Sequence, residues 1–245
     1  MNNNKCWFQN WFNSKYYHLL YQHRDSNEAS LFINELVRFF NPQPHQKFWD
    51  LCCGKGRHSL YINSKGFDVT GTDLSFESIQ FASQYESESL RFYQHDMRTP
   101  FVSNYFDFVF NLFTSFGYFD NKRDDLKVFS VVKNALKKDG LFVLDYLNTT
   151  KAIQQLIPLE EKCIEGIRFS ISKKIENNFI IKQIEVDNNG EKFQFHEKVK
   201  LLSLDDFKLL GEKAGFQLLN VFGDYTLTKF AAESSDRLML IYKKQ

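Results

Sequence analysis

The segment Trp49-Asp50-Leu51-Cys52-Cys53-Gly54-Lys55-Gly56-Arg57-His58-Ser59 constrains the fold more than any other part of this chain. The apolar run Lys47 to Cys52 reads as a short strand, two glycines follow, and Arg57 to Lys65 then reads as a helix closed by Gly66. Glycine allows a sharp turn and a close approach of backbone to a ligand. The first amides of a helix lack partners inside it, so this turn offers N–H donors to a carboxylate or phosphate. Taken alone, it is also what any strand-to-helix turn looks like.

The alternation continues downstream, and that decides the architecture. Phe67 to Asp73, Leu90 to His95, Phe106 to Leu112 and Leu141 to Leu147 read as strands. Ser75 opens a helix running to about Glu86, and Arg123 to Lys138 reads as a helix ending at Asp139-Gly140. Strands joined by helices of this length need crossover connections, and these produce a parallel sheet. Before the first strand, Asn27 to Phe40 is expected to be a helix with Leu31, Leu36, Phe39 and Phe40 on its apolar face, stopped at Asn41-Pro42-Gln43-Pro44. Residues Asn2 to Asp25, rich in Asn, Tyr, Trp and Phe, form a leader ahead of it.

The pattern changes after residue 148. Ile167 to Ile175, Phe179 to Val186 and Lys192 to Leu201 alternate polar with apolar, and Asp187-Asn188-Asn189-Gly190 reads as the turn between the last two. Ser203-Leu204-Asp205-Asp206 then resembles a capping box, opening a helix that ends near Gly215. Phe216 to Gly223 and Arg237 to Lys243 read as closing strands. The expected fold class is α/β: a Rossmann-like, doubly wound, mostly parallel seven-stranded sheet with an antiparallel β insertion. Residues 1–148 and 203–245 are expected to form the core with its helical leader, and residues 149–202 the insertion, leader and insertion together covering a substrate.

Composition excludes several alternatives. The 245 residues suffice for one filled α/β core, and the formal net charge of +1 supplies no basic field for a nucleic acid. Cys6, Cys52, Cys53 and Cys163 form no C-x-x-C pair, so neither a zinc site nor a disulfide framework is expected. No basic start precedes an apolar run and no segment reaches membrane-spanning length, so the expected location is the cytoplasm.

Three further strand ends carry candidate chemistry. Asp73 ends the strand after the glycine turn, where an acid can accept both hydroxyls of a ribose; Ser75 can cap the next helix and leave Asp73 free. His95-Asp96-Met97-Arg98 follows the third strand, where an acid can accept from an adenine amino group. Asn111-Leu112-Phe113-Thr114-Ser115-Phe116-Gly117-Tyr118-Phe119 follows the fourth; its aromatic faces suit a sulfonium or ammonium cation as well as a packed corner.

In their order and spacing these segments resemble the class I S-adenosylmethionine-dependent methyltransferases, from about Tyr16 to Lys243. The resemblance implies S-adenosyl-L-methionine as cofactor, S-adenosyl-L-homocysteine as product and a small-molecule substrate. It places Asp50, Cys52, Gly54 and Gly56 around the methionine part of the cofactor and Asp73 with Leu74 at the ribose. Asp96 and Met97 fall at the adenine, and Asn111, Leu112 and Phe113 near the transferred methyl. The family pattern has glycine where Cys52 stands. Within the class the chain is similar to small-molecule enzymes with an antiparallel insertion before the last helix, among them the sugar-amine N-methyltransferases of antibiotic pathways. Their leader tyrosines cover the cofactor, and Tyr16-Tyr17-His18-Leu19-Leu20-Tyr21 with Arg24 looks similar; Tyr118 stands where they place a histidine.

If the acceptor arrives protonated, Tyr118, Tyr17, His18 and His23 are candidate bases, while Arg57 and Arg24 can pair with the cofactor carboxylate or an acidic substrate. His58 reads as a packed helix residue. An NAD-dependent oxidoreductase needs a third glycine where Ser59 stands. A nucleic-acid methyltransferase is disfavoured by the neutral charge and by Asn111-Leu112-Phe113-Thr114, which lacks the prolines of the amino-modifying motif. A protein methyltransferase or a non-catalytic cofactor-binding protein fits the same residues. The expected state is a monomer or homodimer, without nucleic-acid or membrane partners.

Overall fold

The chain was analysed as a computed structural model, which describes residues 7–22 and 26–245. The strands of the main sheet carry buried apolar and aromatic side chains. In chain order the strands are β1 (Lys47–Leu51), β2 (Asp68–Asp73), β3 (Leu90–Gln94), β4 (Phe106–Asn111), β5 (Leu136–Leu147), β6 (Leu159–Ile164), β7 (Ile167–Glu176), β8 (Phe179–Asn188), β9 (Glu191–Lys200), β10 (Phe216–Phe222) and β11 (Arg237–Lys244). Seven of them form one sheet in the order β10-β11-β5-β4-β1-β2-β3. β1 to β5 run parallel, and β11 enters antiparallel between β5 and β10. The order reverses at β1, where the connections move from one side of the sheet to the other. In such a sheet the crevice for a ligand opens at the carboxyl ends of the strands beside that reversal. The Rossmann-like architecture is therefore present, with the mostly parallel sheet and the separate antiparallel sheet.

The helices are α1 (Trp7–Phe12), α2 (Lys15–Leu20), α3 (Ser26–Phe40), α4 (Arg57–Ser64), α5 (Phe76–Ala82), α6 (Lys122–Ala135), α7 (Thr149–Gln154) and α8 (Leu204–Ala214). Their ends follow local chemistry. Ser75 accepts from the Ser78 N–H at α5. Ser203 and Asp206 form the reciprocal capping box of α8, which stops at the left-handed Gly215. α3 differs from expectation: Phe32, Ile33 and Leu36 are buried, whereas Leu31 is 65% and Phe39 46% exposed. The apolar stripe is turned by about one residue, a rotation that alternative apolar neighbours leave open in sequence.

Other boundaries also moved. α6 stops at Ala135 and β5 starts at once, three residues before the expected helix end. Asp139-Gly140, expected to end the helix, lies inside β5, where the pairing with β4 shifts between Phe106 and Phe108 and Asp139 has φ +64°. The bulge returns the chain to register. The short α7 was also not expected.

The second sheet, β6-β7-β8-β9, is an antiparallel meander. Asn189 and Gly190 have φ of +54° and +92°, and Asn188 pairs with Glu191, so the β8–β9 loop is a two-residue turn with both central residues left-handed. Phe169, Ile171, Ile184 and Val186 of this sheet share a core with Trp11, Tyr16 and Leu20 of the leader. Phe8 of α1 joins the core of the main sheet instead. The leader thus bridges the two sheets. Lys200, 5% exposed, fastens the far end of β9: its ammonium pairs with the buried Asp125 of α6, and its backbone N–H donates to Gly117 O at 2.8 Å. No helix among the described residues is long and apolar enough to cross a membrane.

Candidate functional site

The turn after β1 is bound to its neighbours by hydrogen bonds that shape it. Asp50 is 2% exposed, and its Oδ2 accepts from Ser59 Oγ at 2.6 Å. Burial pushes its pKa up to about 6 despite that bond. Cys53 N–H donates to Thr72 O at 2.9 Å, tying the turn to β2. Cys52 has φ +65°, which accounts for glycine in the family pattern: the position lies in the left-handed region that side chains disfavour. Gly56, at φ +81°, starts α4, and a Cβ there would come within 2.7 Å of the Phe92 ring. Gly56 therefore packs behind the turn.

At the end of β2, Asp73 bridges two segments. Its Oδ2 accepts from Gly54 N–H at 2.9 Å and its Oδ1 from Ser75 N–H at 2.8 Å. Burial raises its pKa, and these donors oppose the rise. At the end of β3, Asp96 accepts a forked pair from Arg98, with Nη2–Oδ2 at 2.6 Å. Burial pushes the Asp96 carboxyl up, but Arg98 outweighs it and holds the pKa below the usual value. Arg98 in turn lies 4.8 Å above the Phe119 ring. Met97 is buried beside Cys52, with the two sulfurs 3.5 Å apart.

The loop after β4 supplies a wall and its support. Asn111 is fully buried; its Nδ2 donates to Leu51 O at 3.0 Å, joining the ends of β4 and β1. It braces the strand ends from behind. Phe113 N–H donates to Asp145 Oδ2 at 2.8 Å, and both Phe113 and Thr114 hold positive φ. Tyr118 donates to Thr114 O at 2.5 Å, and burial pushes its pKa well above the usual tyrosine range. A phenol in this position stays protonated, which argues against Tyr118 as a base.

A cavity of about 310 Å³ opens over these strand ends, at the lower end of the roughly 300–1,000 Å³ typical of ligand pockets. Of the residues singled out in sequence, Asp50, Cys52, Gly54, Arg57, Asp73, Leu74, Asp96, Met97, Leu112, Phe113, Tyr118, Tyr17, His18 and Tyr21 all line it. Gly56 and Asn111 stand behind the wall. Arg24 and His23 lie outside the described residues. His18 is pushed down to about 4, first by burial and then by Lys55, so it is neutral at pH 7 and weakly basic.

The wall also holds residues that the sequence reading did not assign to it. Phe8 and Phe12 of α1 face the cavity, and their four-residue spacing was the available signal. His58 lines it too, its ring tilted against Phe113 with centroids 5.1 Å apart. Burial pushes His58 down to about 3, and its Nε2 has no hydrogen-bond partner among the described residues.

A second chamber of about 220 Å³ adjoins the first. Phe12, Tyr17, Tyr21, Phe113 and Tyr118 belong to both. The second chamber's other walls come from Trp7 of the leader, from Ile180, Lys182, Glu197 and Val199 of the insertion, from Thr114 in the loop after β4, and from Leu147 and Arg237 of the main sheet. Glu197 draws the leader onto the insertion: its Oε1 accepts from Trp11 Nε1 at 2.6 Å and from the Tyr21 hydroxyl at 2.7 Å, and its Oε2 pairs with Lys182 at 2.8 Å. Burial pushes Glu197 up, but Lys182 and these bonds outweigh it and keep the carboxylate below its ordinary pKa.

The donor set of the first cavity fits S-adenosylmethionine. Carboxylates stand at the ends of β1, β2 and β3, apolar side chains fill the floor at Met97 and Leu112, and the buried His58 Nε2 needs a polar partner. Comparison with known proteins agrees. Residues 48–140 match the family model described as a methyltransferase domain. The methyltransferase-family protein YqeM of Bacillus subtilis (strain 168) is 32% identical over 209 residues, spanning 80% of this chain and 82% of that protein. Among solved structures, an S-adenosylmethionine-dependent methyltransferase from Clostridium acetobutylicum ATCC 824 superposes with a TM-score of 0.79 at 21% identity, covering 93% of this chain and 95% of that one. CalS10 of Micromonospora echinaspora, an amino pentose methyltransferase with S-adenosylmethionine bound, gives 0.72 at 17% identity, covering 95% and 98%. The chain belongs to the class I S-adenosylmethionine-dependent methyltransferase family.

Proposed function

We propose that this methyltransferase acts on a nitrogen or oxygen of a small-molecule acceptor, with the cofactor in the larger cavity and the acceptor in the adjoining chamber. The observation that carries this reading is the wall that the two spaces share, formed by Phe12, Tyr17, Tyr21, Phe113 and Tyr118. When bound, S-adenosylmethionine supplies a methyl group activated by its sulfonium. The aromatic wall suits that cation, because ring faces attract positive charge.

The chain's own residues then act by placement. Asp50, Cys52 and Gly54 surround the methionine part, with Arg57 near its carboxylate. Asp73 holds the ribose hydroxyls, and Asp96 and Met97 recognise adenine. Leu112 and Phe113 face the methyl. Tyr21 and Tyr17 close the cavity from the leader, while β8 and β9 close the chamber from the insertion. Excluding water and fixing the attack line supply the rate. His18 is a weak base and Tyr118 keeps its proton, so this reading calls for an acceptor that enters with its lone pair available. The amino pentose activity of CalS10 illustrates one small acceptor handled by this fold.

Calorimetric titration with S-adenosylmethionine and S-adenosylhomocysteine, on the native chain and on Asp73→Ala, tests the cofactor site. Micromolar binding that the substitution weakens is expected. Methyl transfer to small amines, acids and hydroxyl compounds, followed by product detection, then tests the chamber. A folded chain that binds neither nucleoside would end the proposal.

A further inference from the structure

The second chamber has hydrogen-bond donors to spare. Among the described residues that line it the carboxylate is Glu197, which accepts from Trp11 and Tyr21 and pairs with Lys182. Thr114 Oγ1 accepts from Arg237 Nη2 at 2.9 Å. Arg237 Nε donates to Asp145 Oδ1 at 2.8 Å, and Asp145 is fully buried beneath it. That leaves Nη1 of Arg237 without a partner among the described residues, in a side chain only 19% exposed. Lys182 donates to Glu197 and to the Tyr21 hydroxyl, which uses two of its three N–H bonds. Neither Arg237 nor Lys182 lines the larger cavity, so both sit on the side away from the methyl donor.

A mostly buried guanidinium with unused N–H groups is a carboxylate receptor, since its planar fork matches two oxygens. A cationic amine would meet two like charges, Arg237 and Lys182, and a carboxylate, Glu197, that already holds three donors. Building on the methyltransferase reading, we infer that the chamber takes a small organic acid, its carboxylate held by Arg237 and Lys182, with the acceptor atom directed at the wall shared with the cofactor cavity. The chamber volume of about 220 Å³ restricts the acid to a compact one.

The test is calorimetry on the full chain saturated with S-adenosylhomocysteine, using acetate and benzoate against acetamide and benzamide. At least one acid is expected to bind tenfold or more tightly than its amide. Arg237→Gln and Lys182→Gln should each weaken that acid tenfold or more while changing the affinity for S-adenosylhomocysteine by less than about threefold. Arg237 also neutralises Asp145, so if Arg237→Gln fails to fold, Lys182→Gln decides the matter alone. Equal affinity for acid and amide, no binding of either acid, or full binding retained in the folded variants overturns the assignment while the methyltransferase reading stands. Loss of S-adenosylhomocysteine binding by the native chain removes both.

Discussion

The carboxylate of Asp73 accepts from the backbone N–H of Gly54 at 2.9 Å, joining the ends of two adjacent strands across 19 residues of chain. The bond aims the acid into the cavity and closes the glycine turn around it. Asp73→Ala should lower the affinity for S-adenosylmethionine on the order of 100-fold, because it removes a charge-assisted acceptor and loosens the turn together. Asp73→Asn keeps one acceptor oxygen and should lose less. Titration calorimetry on both variants measures this, and equal affinity in the native and alanine proteins would remove Asp73 from the site.

Asp50 sets a pH dependence. Its pKa rises from an ordinary 3.8 to about 6 on burial. In the ligand-free protein a raised pKa means that the neutral carboxyl contributes stability fully below 3.8, and that this is lost as the pH rises through about 6. A cationic ligand group beside Asp50 favours the ionised form. Cofactor affinity should therefore fall about tenfold per pH unit below that pKa and level off above it. Titrations between pH 5 and pH 8 check the slope, and Asp50→Asn should flatten it.

Cys52 holds a left-handed φ of +65°. Cys52→Val should destabilise the chain by on the order of 2 kcal/mol, since a β-branched side chain is worst tolerated there. Cys52→Gly should not, because glycine adopts that conformation without a Cβ clash. Denaturant melts of the three proteins give the ordering directly.

Glu197 ties the leader to the insertion through Trp11, Tyr21 and Lys182. Glu197→Ala strands Lys182 without its partner in a mostly buried place and should cost on the order of 3 kcal/mol. The leader should also be cleaved sooner in limited proteolysis, and cofactor affinity should drop, because Tyr17, His18 and Tyr21 line the larger cavity. Unchanged cleavage would show that the apolar core shared by Trp11 and Phe169 holds the leader without the acid.

Much of this molecule was legible in the residue order. The strand–helix alternation from Lys47 to Leu147 gave a parallel sheet because crossover connections admit little else. Asp50, Asp73 and Asp96 were identifiable because each ends a strand, and strand ends on one edge of such a sheet meet at one crevice. Ser75, Ser203 and Gly215 marked helix ends through bonds made within a few residues.

What escaped the sequence depends on contacts between distant segments. The turned face of α3, with Phe32 buried and Leu31 exposed, was chosen by the sheet it packs on. The bulge at Asp139-Gly140 arises from pairing with β4. Gly56 packs against the Phe92 ring and Asn111 Nδ2 is taken by Leu51 O, and neither lines the cavity. The chamber bearing Arg237, Lys182 and Glu197 draws on β11, β8 and β9, which no local pattern relates. Periodicity and turn chemistry are short-range and can be read along the chain. Which charges face one another across a cavity is set by how two sheets and a leader pack, and the tertiary structure alone decides it.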